Sequence, residues 1–195
     1  MLPEPTMPHP VPGPPPTRVA LLQGQARVSG RQDIEFSTVL GSCIATCLFD
    51  PEAQLGGMNH FLLAGPVAGR ADGAVDEHHG IYLMQVLVSE MLARGASRAQ
   101  LRARLYGGAN LHAGMANIGA TNADFAHAFL AREHIALVHE DIGGAHARHI
   151  DFRPALGKVR CRIIENPAVP DLPLLSASPC ASGDAGAFQQ KRNRS

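Results

Sequence analysis

Two residues in one short region carry side chains suited to nucleophilic chemistry. Cys43 lies in Thr38-Val39-Leu40-Gly41-Ser42-Cys43-Ile44-Ala45-Thr46-Cys47-Leu48-Phe49-Asp50-Pro51, and His60 in Gly56-Gly57-Met58-Asn59-His60-Phe61-Leu62-Leu63. A thiol attacks as the thiolate, and an imidazole that takes its proton produces one. Asp50-Pro51 is a turn opener between two runs of small, apolar and β-branched residues, so the region predicts a β-hairpin. With the turn centred between Pro51 and Glu52, Cys43 falls opposite His60 and both side chains share a face. A one-residue bulge would break that pairing. The same residues also fit plainer roles, cysteine as a small buried hydrophobe and histidine as a packed strand residue.

The chain around them has 195 residues, the length of a single domain, with a formal net charge of +0. Nothing in that balance points to a nucleic-acid surface. No apolar run reaches the roughly 18 residues that span a bilayer, and the proline-broken N-terminus lacks a signal-peptide core, so a cytoplasmic protein is expected. Cys43, Cys47, Cys161 and Cys180 are too scattered for a disulfide framework. On a strand, Cys43 and Cys47 stand about 13 Å apart, too far to share a zinc ion, and no metal or other cofactor is expected.

Residues 1–17 are proline-rich and read as a disordered leader, and residues 166–195 as a disordered tail. Between them, 18–28 alternates as an edge strand and 64–79, with His78 and His79, reads as a surface loop. Met84, Leu87, Val88, Met91 and Leu92 recur at helical spacing, and Gly95 suits the C-terminal cap. A half-buried strand over 101–106 ends in the turn Gly107-Gly108-Ala109-Asn110. Asn122 is the expected N-cap of a second helix whose apolar stripe is Phe125, Ala126, Phe129 and Leu130. A strand over 135–139, a turn at 141–144 and a hairpin over 149–164 follow, and Arg148 is expected to be exposed. Gly41 suits close backbone approach, which makes the amides of Ser42 and Cys43 candidates for an oxyanion hole. Mostly antiparallel strands with two amphipathic helices give an α+β domain with helices over one side of a sheet.

Six blocks occur in order: Leu40-Gly41-Ser42-Cys43, Asp50-Pro51, Gly57-Met58-Asn59-His60-Phe61-Leu62, Gly107-Gly108-Ala109-Asn110, Asn117-Ile118-Gly119 and Glu140-Asp141-Ile142-Gly143-Gly144. Together, over about residues 18–165, they resemble CheD, the chemoreceptor glutamine deamidase family. The resemblance implies a β-sandwich with helices packed on one outer face. It implies a catalytic Cys43, His60 as its base and Thr38, with Ser37 as the alternative, orienting the imidazole. Ser42, Asn59 and Asn110 are then expected on the substrate side. The implied substrate is glutamine on the cytoplasmic helical bundle of methyl-accepting chemotaxis receptors, with the CheC phosphatase as a further partner. The same resemblance leaves open a binding adaptor or a receptor glutamyl methylesterase, and the residues alone leave open a thiol hydrolase of another amide. The sequence departs from the family pattern at Ala64, where a proline is common, and at His78 and His79.

Overall fold

The computed structural model describes residues 15–63, 77–111 and 118–165. The expectations for most of the proline-rich leader, for the tail, for Ala64 and for Asn117 lie outside the described residues. In chain order the elements are β1 (Thr17–Ala20), β2 (Gln25–Ser29), β3 (Ile34–Leu40), β4 (Ile44–Asp50), β5 (Leu55–His60), α1 (His78–Ala93), β6 (Arg102–Gly107), α2 (Ile118–Arg132), β7 (Ala136–Ile142), β8 (Ala147–Arg153) and β9 (Lys158–Ile164). One sheet has the order β1-β3-β8-β9 and the other β2-β5-β4-β6-β7. Both are mixed, since β1 runs parallel to β3 and β7 parallel to β6. This is the expected α+β sandwich, with both helices on the outer face of the five-stranded sheet.

Residue parity builds the three layers. Along β4, Ala45, Cys47 and Phe49 join Phe36, Leu40, Met58, Tyr106, Ile150 and Phe152 between the sheets. Ile44 and Leu48, one position out of phase, join Leu83, Met84, Leu87, Phe125 and Phe129 beneath the helices. A central strand that packs both faces must be apolar on both, which is why 44–49 reads as a continuous hydrophobic run. Tyr106, on the same side of β6 as Arg102 and Arg104, is buried between the sheets. Arg104 on the same side sits 5.4 Å over the Phe49 ring.

The hairpin register differs from the sequence expectation. Asp50 pairs with Leu55 and Cys47 with Met58, so the loop holds four residues and the pairing moves by two. The cause is the Asp50 carboxylate. It accepts the amides of Glu52 at 2.9 Å, Ala53 at 3.0 Å and Ser97 at 2.8 Å, winding extra residues into the turn. Burial works to raise this carboxyl, but the Ala53, Ser97 and Glu52 amides overcome it and hold the group below its ordinary value.

Three other expectations are corrected. Residues 18–28 are two strands, one in each sheet, because the chain breaks at Gly24 (φ 84°) and crosses from sheet to sheet over 21–24. His78 and His79 open α1 rather than closing a loop. Asn122 lies inside α2 and is buried, so it is no N-cap.

Candidate active site

Two of the sequence-predicted residues, Thr38 and His60, meet at one edge of the layer between the sheets. Thr38 projects from the inner face of β3, between Phe36 and Leu40 in parity, and meets His60 at the end of β5. Its Oγ1 lies 2.8 Å from His60 Nδ1 and 2.8 Å from the Leu21 carbonyl oxygen. A threonine hydroxyl has one proton, and a carbonyl can only accept. Thr38 therefore donates to Leu21 and accepts from Nδ1–H, which leaves the lone pair on His60 Nε2. Nε2 is buried and has no hydrogen-bond partner among the described residues. Burial lowers the imidazole's pKa below its ordinary value, with the Leu21 carbonyl working the other way.

Cys43 is not paired with His60 in the strand ladder. It sits in the turn just before β4, half-buried against the inter-sheet cluster. Because Ile44 bridges Phe61, the ladder sets Ala45 opposite His60. A register change of two residues preserves side-chain facing, so Cys43 keeps the inter-sheet side that Ala45 and His60 share. Its Sγ donates to Gln23 Oε1 at 3.6 Å. Gln23 also lines the cleft of about 360 Å³ that holds Leu21, Leu22, Thr38, Val39, His60 and His149. Burial raises the Cys43 thiol above its ordinary value, and its own backbone amide opposes this. Burial thus favours the neutral form of each group, the thiol bonded to Gln23 and His60 Nε2 without a partner among the described residues. A larger hollow, about 690 Å³, lies on the outer face of the four-stranded sheet around Arg18, Glu35, Asp151 and Arg160, away from these groups.

Glycine turns fix the Cys43 backbone. Gly108 N donates to the Cys43 carbonyl at 2.8 Å, and Ala109 N to the Gly41 carbonyl at 2.8 Å. A Cβ on Gly107 would stand 2.1 Å from the Cys43 oxygen, at a φ of +109° that side chains rarely adopt. The Gly107-Gly108 turn thus serves approach to the cysteine's own backbone. A second brace comes from Arg148, which is buried rather than exposed. It donates to Asp141 Oδ1 at 2.9 and 2.7 Å and to the Gly143 carbonyl at 2.8 Å. Gly143 N in turn reaches the Gly107 carbonyl at 2.9 Å, and Asn110 N the Gly144 carbonyl at 2.8 Å.

The remaining candidates separate. Ser37 faces outward from β3, its hydroxyl bonded to Asp151 Oδ1 and His149 Nε2 at 2.9 Å each rather than to His60. Asn59 faces α1, where its Oδ1 accepts Thr46 N at 2.9 Å and its Nδ2 meets Met84 Sδ at 3.1 Å, on the face of β5 opposite His60. Asn110 is exposed beside the Cys43 turn. The Ser42 and Cys43 amides make no backbone hydrogen bond to the described residues.

Sequence reasoning missed the role of Asn122. Its Oδ1 accepts Leu63 N at 2.8 Å and its Nδ2 donates to the Ser42 carbonyl at 2.9 Å, tying both arms of the site to α2. The signal was available, because Asn122 stands three and four residues before Phe125 and Ala126 and so belongs to the buried stripe. Asn122→Ala is expected to cost about 1–3 kcal/mol in chemical denaturation, since it orphans the buried Leu63 amide and a partly buried Ser42 carbonyl. Gln23 carried no such signal, as its contact is non-local.

An α+β sandwich that holds an oriented imidazole and a half-buried thiol on one inter-sheet layer defines the structural class. A Zymomonas mobilis protein named as a probable chemoreceptor glutamine deamidase CheD is 56% identical over 149 residues, 76% of this chain and 81% of that one. A Caulobacter vibrioides protein of the same name is 41% identical over 180 residues, 88% of this chain and 93% of its own. The chain belongs to the CheD family, whose profile, described as CheD chemotactic sensory transduction, matches residues 63–163, beginning just past His60. A crystal structure of a Neisseria meningitidis protein overlaps 67% of this chain and 65% of that one at 12% identity and a TM-score of 0.42, a likeness too slight to carry an argument. Among the described residues no helix is long and apolar enough to cross a membrane.

Proposed function

We propose that this chain deamidates glutamine side chains of methyl-accepting chemotaxis receptors, with Cys43 as nucleophile, His60 as general base and acid, and Thr38 as the residue that orients the imidazole. The observation that carries this reading is the pair of hydrogen bonds on Thr38, which directs the basic nitrogen of His60 away from β3 with no partner of its own. The names of the relatives supply the substrate.

The chemistry follows from the amide. His60 Nε2 takes the Cys43 proton as sulfur attacks the glutamine carbonyl carbon, giving a tetrahedral oxyanion. The Ser42 and Cys43 amides, on the turn braced by Gly108 and Asn122, are the donors we assign to that oxygen. The imidazolium then protonates the nitrogen, which leaves as ammonia, because an amide nitrogen departs poorly as an anion. Water, deprotonated by His60, hydrolyses the thioester to glutamate and restores the thiol. The receptor's cytoplasmic helical bundle is the substrate we assign, which places the protein in the cytoplasm. Binding to a CheC-type phosphatase rests on the family resemblance alone.

The direction of both pKa shifts sets the pH profile. The working form has neutral His60 and a protonated Cys43. Activity therefore falls on the acid side only below about pH 6.5, where His60 gains a proton, and persists on the alkaline side beyond about pH 8.5, where an ordinary thiol would ionise. A kcat/KM profile for ammonia release from a receptor fragment measures both limbs. A preformed thiolate–imidazolium pair would instead lose activity on the alkaline side as the imidazolium deprotonates, and a fall between about pH 7.5 and 8.5 would contradict the neutral pair. In the same assay Thr38→Val is expected to lower kcat about tenfold or more at little change in KM, because it frees the imidazole tautomer without touching substrate. Wild-type protein that releases no ammonia from receptors of its own host would leave the binding adaptor as the better reading.

A further inference from the structure

We propose that Gln23 is a resident stand-in for the substrate's glutamine, its carboxamide occupying the place beside the Cys43 thiol that an incoming carboxamide must take. The inference rests on the reading of Cys43 as nucleophile. Gln23 carries the same functional group as the substrate, and its Oε1 accepts from Cys43 Sγ at 3.6 Å. It also lines the cleft that contains Thr38 and His60.

The backbone on both sides of Gln23 is stitched to the strands that hold those residues. Leu21 N donates to the Ser37 carbonyl and Gly24 N to the His60 carbonyl, each at 2.8 Å, while the Leu21 carbonyl takes the Thr38 hydroxyl. A tight turn between Leu22 and Gln25, bonded at 3.2 Å from Gln25 N and at 3.1 Å to Gln25 Oε1, sets the residue in place. The side chain itself is exposed, and among the described residues its bond is the one to the thiol. Its anchor is rigid while its carboxamide is free to rotate into water without burying an unpaired group. Those are the properties of a displaceable latch.

Two consequences follow. The latch keeps the thiol's proton engaged and its sulfur shielded while the cleft is empty, and substrate must compete with it, so apparent KM is the intrinsic value divided by the fraction of time the latch is open. Leu22 and Val39 flank the same cleft at 66% and 53% exposure. A glutamine-bearing segment that covers both apolar side chains gains the free energy needed to displace Gln23, whereas a free glutamine does not.

The test uses the full chain and three proteins, wild type, Gln23→Ala and Gln23→Glu, with iodoacetamide alkylation of Cys43 followed by mass spectrometry and with receptor-fragment kinetics. Gln23→Ala is expected to alkylate roughly 2- to 10-fold faster, the worth of one neutral hydrogen bond, and to deamidate the fragment with a lower KM. Gln23→Glu is expected to alkylate more slowly than wild type, because a carboxylate beside the sulfur holds its proton. Unchanged melting temperatures in both variants separate the effect from a fold defect. An unchanged alkylation rate, or a KM in Gln23→Ala that stays level or rises, overturns the proposal. Deamidation surviving in Cys43→Ala would instead sink the nucleophile assignment, and the alkylation rates would still report whether Gln23 latches the thiol.

Discussion

Cys43→Ala is expected to abolish glutamine deamidation while leaving the fold intact, and His60→Ala to do nearly the same. Removing the nucleophile of a covalent mechanism, or its partner base, costs at least about 10³-fold in kcat, and the two losses do not add because the groups act as one unit. The double variant should therefore be no worse than Cys43→Ala. Cys43→Ser tests the chemistry further. An imidazole whose pKa burial has already lowered is a weak base for an alcohol, so the serine variant is expected to resemble alanine rather than retain a fraction of activity. Stability should move little on Cys43→Ala, because the thiol is half-buried and its partner Gln23 is exposed. Initial rates of ammonia release, beside denaturation midpoints, measure both effects.

The second large effect is structural in origin and reaches the site through the backbone. Gly107→Ala places a methyl group 2.1 Å from the Cys43 carbonyl oxygen at φ +109°. The oxygen is backbone and a Cβ is fixed rigidly to Cα, so neither can swing aside. The expected cost is about 3–5 kcal/mol, combining left-handed strain of about 1–3 kcal/mol with displacement of the turn. Gly95→Ala is the matched control, since its φ is +100° and a Cβ there meets nothing within 4 Å. It should show the strain alone, about 1–3 kcal/mol, with normal activity. The difference between the two variants isolates the clash at Cys43. If Gly107→Ala is no less stable than Gly95→Ala and keeps full activity, the turn does not fix the cysteine.

Much of this architecture is legible in the residues themselves. Alternation along 43–60 puts Cys43 and His60 on one side of the hairpin whether the turn holds two residues or four, because a slip of two residues does not change the face. Thr38, with Ser37 as the alternative, comes only from the family resemblance; in the structure β3 parity turns Thr38 inward with Phe36 and Leu40, beside His60, and Ser37 outward. The turn length was missed because it depends on Ser97, a residue far along the chain that supplies the third amide to Asp50. Nothing in the sequence marks Arg148 as buried, because its partners, Asp141 and the Gly143 carbonyl, come together only when the 141–146 turn folds over it. The split of 18–28 into two strands of different sheets has a local cause in Gly24, but which sheet takes each half is a tertiary decision. The resemblance puts Asn59 on the substrate side, but as the neighbour of His60 on β5 it faces the opposite way, toward α1.

The central claim is that Cys43, with His60, converts receptor glutamine to glutamate. Intact-mass and peptide-mapping mass spectrometry of a receptor cytoplasmic fragment, incubated separately with wild type, Cys43→Ala and His60→Ala, measures it most directly. The account predicts a gain of about one dalton at defined glutamines with wild type, matched mole for mole by ammonia, and no gain with either variant. The same gain with Cys43→Ala, or none with the wild type on receptors of its own host, would contradict it.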